Sequence, residues 1–584
     1  MNSTRRDLFI YAGGSAAGAL LTPAPWRLIT DTALWSENWP GIPSPPRGEI
    51  RTKFTNCSVC RAGCAVRARC VGDQPVQLAG VASHPLSHGA LCPFGLTAHH
   101  LPYHPARLKQ GSAEQALAAA SAAGGRIAVL DLRPGRTASW TYRRAMAALN
   151  GLYVTADQPV AFDLHQAKTV LSLGVPLLDG WGTPGNVWAA RPGFRLIQAE
   201  AIESRTAALA DVWLPIQPGT EEALALAIGN AIQHGKADDE RALSLANELT
   251  HNGPALVLDN SGSAAVMALN QLLGAAGHTM VARPEAPVPD SWQKAVLATG
   301  LAQIEDRSIS VLLIDESAVD RYLPWHTIER KLERDNPVVV TFASSRGGYA
   351  RHARFALPTA VYPEFAEDIP TAIDSPAATF RISTPLAAPP PGMVNPAEFI
   401  ATLADLPKSD ALRERADAIH QAGRGTVFTP ADGKTVAVKS LTAEVFWKSL
   451  SEAGCWIDEP GHGRAPQAEP RPYLPPSEPG SGGLPLVALL ATPQAPPLIS
   501  PLMTKLYQES NLRLAPNRVA LNPSEARAAR LEDGAHAFLE THLGKCGVEV
   551  SVDAAVPAGV VLVGTAPGIL DVCGPAARAK VVAA

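Results

Sequence analysis

The chain has 584 residues, a formal net charge of −4 and 18% charged residues. That balance provides no broad basic surface for a nucleic-acid backbone. The length suffices for several domains with buried cores, and the 46% hydrophobic content fits a compact globular protein.

At the N-terminus, Arg5-Arg6 stand just ahead of an apolar, Gly- and Ala-rich run from Leu8 to Leu21. Paired arginines before such a run have the layout of a twin-arginine export signal, which predicts residues 1–30 as a signal and a periplasmic destination. The competing reading is a short N-terminal core helix. The run is marginal against the ~20 residues that span a bilayer. Thr22-Pro23-Ala24-Pro25 is only a weak cleavage site, so an uncleaved anchor remains open. No later run is apolar enough to span, and the rest of the chain reads as soluble. Twin-arginine export carries proteins that folded before translocation, so a labile metal centre is a natural cargo.

Five of the eight cysteines lie between Cys57 and Cys92, and four of them read Cys57-x2-Cys60-x3-Cys64-x27-Cys92. Three closely spaced thiolates on one loop can wrap three corners of a four-iron cluster, and a distant fourth closes the last. Gly63, Gly72, Gly80 and Gly89, with a strand-like stretch Ala65 to Val71, give a loop-rich setting in which backbone can approach the cluster. Arg61 follows the second cysteine where a c-type haem requires His, which excludes that group. A structural zinc and disulfides are the competing readings. Zinc more often takes two C-x-x-C pairs, and disulfides at these spacings close strained small rings. Cys70, Cys455, Cys546 and Cys573 read as small buried residues. His84, His88, His99, His100 and His104 crowd the last cysteine and read as loop or packing residues ahead of ligands. Gly180-Trp181-Gly182 is too loose for a dinucleotide fingerprint.

Further along, Ala255–Asp259 and Val311–Asp315 are short apolar runs ending in Asp, as parallel strands buried on both faces require. Pro337–Phe342 is another, and Phe355-Ala356-Leu357-Pro358 echoes the earlier Ala210-Asp211-Val212-Trp213-Leu214-Pro215. Pro and Gly between Pro215 and Gly219 predict a turn, with a helix beginning near Glu221. A Pro/Gly-rich stretch from Glu459 to Pro485 reads as a linker or surface arm, as does Trp26 to Pro46.

These residues resemble the molybdopterin oxidoreductase (DMSO reductase) family. The resemblance rests on the cysteine motif, Gly89-Ala90-Leu91-Cys92-Pro93, Leu101-Pro102-Tyr103-His104-Pro105-Ala106-Arg107-Leu108, Asp163–Gly174, and Thr206–Thr220. It implies an α/β multi-domain fold: an iron–sulfur domain over 31–110, Rossmann-like parallel-sheet domains over 111–250 and 251–456, a Pro-rich linker over 457–485, and a C-terminal β-barrel over 486–584. It also implies one [4Fe-4S] cluster on Cys57, Cys60, Cys64 and Cys92. Two departures stand out. The interval from Pro93 to Phe162 is compressed and offers no residue alignable with the family's molybdenum ligand. Phe94 stands where catalytic members carry a Lys or Arg bridging cluster and pterin, and Phe can neither donate nor carry charge. Both imply a chain without molybdopterin, molybdenum or catalytic residues of its own.

Within the family, Leu34–Ile50 and Leu502–Arg513 resemble the molybdopterin-binding-like subunits of menaquinone reductase and alternative complex III. That resemblance implies a non-catalytic subunit in a membrane-associated quinone-redox complex, joining periplasmic cytochrome c to the menaquinone pool. Its partners would be a ferredoxin-like iron–sulfur subunit, a multihaem cytochrome c and a polytopic quinone-binding subunit. The alternative is a catalytic molybdenum-pterin subunit reducing a small oxidised substrate such as a sulfur oxyanion.

Overall fold

A computed structural model describes residues 4–21, 48–155, 160–236, 239–260, 262–320, 322–460, 465, 483–488, 498–503, 515, 517–573 and 578–584. The weak cleavage site, the Trp26 to Pro46 arm, most of the 459–485 linker and residues 504–513 lie outside the described residues.

The paired arginines open a helix, Arg5–Leu21, on which Leu8, Phe9, Ile10 and Tyr11 are exposed, so it is not a core helix. Among the described residues, no helix is long and apolar enough to cross a membrane.

Three antiparallel strands, Ile50–Asn56, Ala65–Val71 and Gln74–Gly80, form the small sheet that carries the cysteine loops. The central strand falls on the stretch expected from sequence. Its inward Val66, Ala68 and Cys70 are wholly buried, whereas on the other face Arg67 and Arg69 point to solvent and Ala65 is covered, the alternation of a half-buried strand.

Two parallel sheets follow, and both are multi-domain α/β in character, but they divide the chain differently from the boundary expected at residue 250. The larger is ordered Ala298–Thr299, Leu152–Thr155, Ile127–Asp131, Val311–Asp315, Val338–Ala343, Phe355–Pro358, with every pairing parallel. The smaller is ordered Ala255–Asp259, Thr169–Leu173, Arg195–Glu200, Val212–Pro215, again parallel throughout. The smaller unit is thus inserted between two strands of the larger, and the contiguous 111–250 and 251–456 division does not follow the sheets. The reason is physical: Val311–Asp315 is buried along its whole length and takes Ile127–Asp131 as a neighbour 184 residues upstream. An apolar run announces such a strand but not its partner.

The echo between the two Leu-Pro elements is topological. Val212–Pro215 and Phe355–Pro358 are the edge strands of their respective sheets. Proline lacks the ladder donor and is tolerated at an edge. The helix expected near Glu221 runs Glu221–His234, with Glu221 and Glu222 in its first turn where the helix dipole favours acid.

A five-stranded sheet ordered Glu367–Ile369, Ala377–Ser383, Cys455–Pro460, Thr426–Thr429, Lys434–Ala437 is antiparallel and was not foreseen. Its strand Ala377–Ser383 is buried from end to end and runs beneath the cysteine loop. At the C-terminus six strands pair in a closed order: Leu484–Ala488, Val561–Val563, Arg518–Leu521, Gly544–Val552, His536–Thr541, Arg578–Ala583.

Candidate functional site

The loop from Cys57 to Cys64 is closed on itself by the Cys57 amide, which donates to the Cys64 carbonyl at 2.9 Å. Its base is pinned to the antiparallel sheet behind it. Asn56 Nδ2 donates to the Ile382 and Ala453 carbonyls (3.0 and 3.2 Å), and Thr55 Oγ1 donates to the Thr384 carbonyl at 2.8 Å.

Two arginines grip the loop from outside. Arg133 Nη1 and Nη2 donate to the Ser58 and Val59 carbonyls at 2.5 and 2.9 Å. Arg381 Nη1 donates to both the Ala62 and Gly63 carbonyls, each at 2.8 Å. In a trans peptide C=O and N–H point opposite ways. A carbonyl held outward by a guanidinium therefore turns the following N–H inward. The Val59 amide, on the peptide whose carbonyl Arg133 holds, donates to the Cys57 sulfur, and the Ala62 amide donates to the Cys60 sulfur.

From sequence, the loop glycine is expected to allow close approach by a cluster. Gly63 lines the cysteine cavity and also admits a second neighbour. Its φ is +55°, and a Cβ there would lie 2.6 Å from Cζ of Arg381, so the missing side chain is what admits the guanidinium.

Cys92 returns to the loop through a tight crossing. A Cβ on Gly80 would sit 2.1 Å from the Gly89 carbonyl oxygen, so the end of the third strand and the Cys92-bearing segment pass backbone to backbone. Cys92 then precedes the short helix Pro93–Leu96, with the Leu96 amide donating to its carbonyl at 2.9 Å.

The four expected cysteines come together around one cavity of about 190 Å³, whose wall also includes Phe94, Leu178 and Arg205. All are free thiols. Burial pushes Cys57 and Cys64 well up, and Cys60 up to about 12; the neighbouring thiols push in the same direction. Such thiols ionise only when a cation or metal replaces the lost hydration. Among the described residues, no three His, Cys, Asp or Glu side chains converge closely enough to share one ion. Zinc would draw its thiolates to ≈ 2.3 Å of one point, whereas a four-iron core holds them apart around a shared space. Four thiols around one cavity, two already accepting backbone N–H bonds, fit a [4Fe-4S] cluster.

Gly180 and Gly182, of the stretch too loose for a dinucleotide fingerprint, line that cavity with Leu178 and Asp179; Gly180 takes a φ of +101°. Arg205 at the wall pairs with Asp179 at 3.2 Å. The histidines divide as packing residues. His84 is wholly buried, accepts at Nδ1 from the Leu86 and Ser87 amides (3.2 and 3.1 Å), and burial brings it down to about 3. His99 and His100 rings lie 4.2 Å apart, and burial brings His99 down to about 4.

Residues 50–104 match the molybdopterin oxidoreductase Fe4S4 domain, and all four cysteines lie inside that match. The chain is 25% identical to the menaquinone reductase molybdopterin-binding-like subunit of Nitratidesulfovibrio vulgaris, across 66% of this chain and 69% of the relative. Over residues 50–104 the chain thus carries the Fe4S4 domain of molybdopterin oxidoreductases, and beyond it the likeness runs on at 25% identity. It is also 24% identical to a sulfite dehydrogenase subunit of Allochromatium vinosum, across 32% of this chain and 24% of that protein. The solved structure of acetylene hydratase from Pelobacter acetylenicus shares the fold, with a TM-score of 0.64 at 14% identity over 91% of this chain and 100% of that one.

Sequence reasoning missed the buried ion network that joins the family's cluster domain to the larger sheet. Arg61 Nε and Arg133 Nε both donate to Asp320, at 2.6 and 2.9 Å. Burial pushes Asp320 up, but the charges of Arg61 and Arg133 outweigh it and hold the carboxyl below its usual range.

Next to it, Arg136 Nη2 contacts Asp315 at 2.6 Å and Asp131 at 3.2 Å, and its Nη1 contacts Glu367 at 3.3 Å. Asp131 and Asp315 are the last residues of the two strands at which the larger sheet reverses its order. In open α/β sheets ligands bind at that crevice. Here a guanidinium spans it. Arg415 closes the next layer through Asp368 at 3.0 Å, and the space left between Arg61, Asp368 and Arg415 is a cavity of about 40 Å³.

Proposed function

We propose that this chain is a non-catalytic iron–sulfur and scaffold subunit of a membrane-associated quinone-redox respiratory complex. In this reading Cys57, Cys60, Cys64 and Cys92 hold one [4Fe-4S] cluster, and no molybdenum site is present. When bound, such a cluster supplies one-electron transfer. The chain's own contribution is positional: Arg133 and Arg381 set the loop, and the Val59 and Ala62 amides donate to ligand sulfurs.

The observation that carries the non-catalytic part is Arg136 across Asp131 and Asp315. A ligand pocket for a large cofactor takes some 300–1,000 Å³, whereas the cavity beside this crevice measures about 40 Å³. Phe94 supports the same reading, because a buried phenyl ring lines the cluster cavity where a cation would be needed to reach a pterin. The likeness to a menaquinone reductase subunit supports a place between periplasmic cytochrome c and the menaquinone pool. Partners would then be a ferredoxin-like iron–sulfur subunit, a multihaem cytochrome c and a polytopic quinone-binding subunit. The exposed helix behind Arg5-Arg6 fits export by the twin-arginine route and a periplasmic location. The closed C-terminal strands, over 486–584, would form the family's cap domain without a pterin beneath it.

Elemental and pterin analysis of the purified chain tests this. The expected result is about four irons per chain, an EPR signal on reduction, and no stoichiometric molybdenum, tungsten or pterin. One molybdenum and its pterin per chain would refute it. That outcome would favour the second reading, a catalytic molybdenum-pterin reductase acting on a sulfur oxyanion, which the shorter likeness to the sulfite dehydrogenase protein motivates.

A further inference from the structure

Arg381 differs from every other arginine of the buried network. Arg61 and Arg133 share Asp320, Arg136 has Asp131, Asp315 and Glu367, Arg107 has Glu364, and Arg415 has Asp368. Arg381 is 0% exposed, and among the described residues its hydrogen bonds go to two carbonyls and to no carboxylate. Its Nε and Nη2 are buried without a hydrogen-bond partner among the described residues.

A guanidinium cannot shed its proton, and a buried charge requires compensation. The groups around it are Cys64 on the loop, Cys455 directly across the strand pair, and His84, which burial keeps neutral. Of these, the Cys64 thiolate and the cluster it would ligate are the anions that can answer the charge. The loop is built to let the guanidinium come this close, since any side chain at position 63 would collide with it.

We propose that Arg381 is the fixed counter-cation of the cluster and that its charge raises the cluster's reduction potential. The proposal rests on the four-cysteine assignment made above. Reduction by an external one-electron donor adds one electron, and so one unit of negative charge, to the site; no bond forms or breaks. A buried positive charge stabilises that reduced state more than the oxidised one, and low surrounding polarity keeps the effect from being screened. Arg381 is a positioning and tuning residue that holds the ligand loop.

An EPR-monitored redox titration of the full chain, with mediators and dithionite, tests this on Arg381→Met, Arg381→Lys and Cys455→Asp. Arg381→Met removes the charge and should shift the oxidised-to-reduced ratio at fixed poise at least tenfold toward oxidised, a potential drop of about 59 mV for one electron. Arg381→Lys keeps the charge while losing the two-carbonyl fork, and should stay within about threefold of the wild type, which a purely structural clamp would not predict. Cys455→Asp sets a carboxylate across from Arg381 and neutralises it without removing it, so its potential should fall as well. That variant carries the test if Arg381→Met loses its cluster. An unchanged or higher potential in Cys455→Asp, or in cluster-loaded Arg381→Met, overturns the proposal. Wild-type protein with no iron and no EPR signal would instead overturn the four-cysteine assignment on which it stands.

Discussion

Replacing Arg136 with Met is the sharpest test of the filled crevice. The side chain is buried and touches Asp315, Asp131 and Glu367 at 2.6, 3.2 and 3.3 Å. Tyr142 and Tyr153 complete the shell, donating to Asp315 and Asp131 at 2.8 Å each. Methionine fills much of the volume but leaves the carboxylates facing one another without a cation. Removing one partner of a buried pair costs roughly 3–5 kcal/mol. For a unit of about 150–250 residues that corresponds to a fall of order 10 °C in Tm. The cost should depend on pH. In the wild type, burial pushes Asp315 up, but the Arg136 charge and the hydrogen bonds from Ser317, Arg136 and Tyr142 together hold it below its usual range, so its contribution is present above the unfolded carboxyl range and lost as pH falls through the folded value. Without Arg136, burial acts on Asp315 against only the Ser317 and Tyr142 hydrogen bonds, so its carboxyl is raised relative to the wild type. The variant is then penalised most at neutral pH and recovers relative to the wild type toward pH ~4.5, where the acids protonate. Thermal unfolding followed by far-UV circular dichroism between those pH values reads both effects. A loss below about 1 kcal/mol at neutral pH, or a pH-independent loss, would refute the view that this arginine holds the crevice together.

Two further substitutions follow from the same geometry. Gly63→Ala forces a side chain into a left-handed backbone at φ +55° and against Cζ of Arg381. That adds about 1–2 kcal/mol of strain to disrupted charged hydrogen bonds of about 1.5–3 kcal/mol each; iron content should fall. Gly72→Ala, also left-handed at φ +60°, should keep its iron, and equal iron loss in both would refute the contact argument. Glu316 is buried and raised to about 8 by that burial, although the Tyr322 hydroxyl and Tyr349 amide donate to it (3.0 and 3.2 Å). The folded chain therefore binds a proton the unfolded chain releases, and wild-type stability falls as pH rises from the ordinary Glu value toward 8. Glu316→Gln should abolish that fall and gain up to a few kcal/mol over wild type near pH 8, measured by urea denaturation; an unchanged slope would refute the assignment.

What the sequence made legible was local. Cys57, Cys60 and Cys64 lie on one eight-residue loop, and Cys92 sits just before a proline-started helix turn, so spacing alone brought out the four that line the cavity. Val311–Asp315 and Ala255–Asp259 stood out because a strand buried on both faces must be apolar throughout. The nesting of the two sheets was hidden, because an apolar run does not name its neighbour. The arginines were hidden for the same reason. Arg133 reaches Ser58 across 75 positions, and Arg381 reaches Ala62 across 319. Nothing within a short window distinguishes such an arginine from one on a solvated surface. Gly63 was noticed for its approach to the cavity, but its contact with Arg381 was not.

The two arginines on the cysteine loop make similar contacts yet do different electrostatic work. Arg133 holds the Ser58 and Val59 carbonyls while Asp320 offsets its charge. Its influence on the loop is chiefly orientation, passed through one peptide plane to the amide that donates to the Cys57 sulfur. Arg381 holds the Ala62 and Gly63 carbonyls, with no carboxylate bonded to it among the described residues. Its charge therefore remains directed at the site. A loop meant only to brace the fold would need two clamps and no unbalanced cation, since an uncompensated buried charge is costly. The crevice between Asp131 and Asp315 shows the opposite arrangement, because there one arginine faces three acids. Carboxylates outnumber the cation where a large cofactor would bind in an open α/β sheet, whereas the cation without a carboxylate lies beside the cysteine loop, a pattern that supports the redox role proposed for Cys57, Cys60, Cys64 and Cys92.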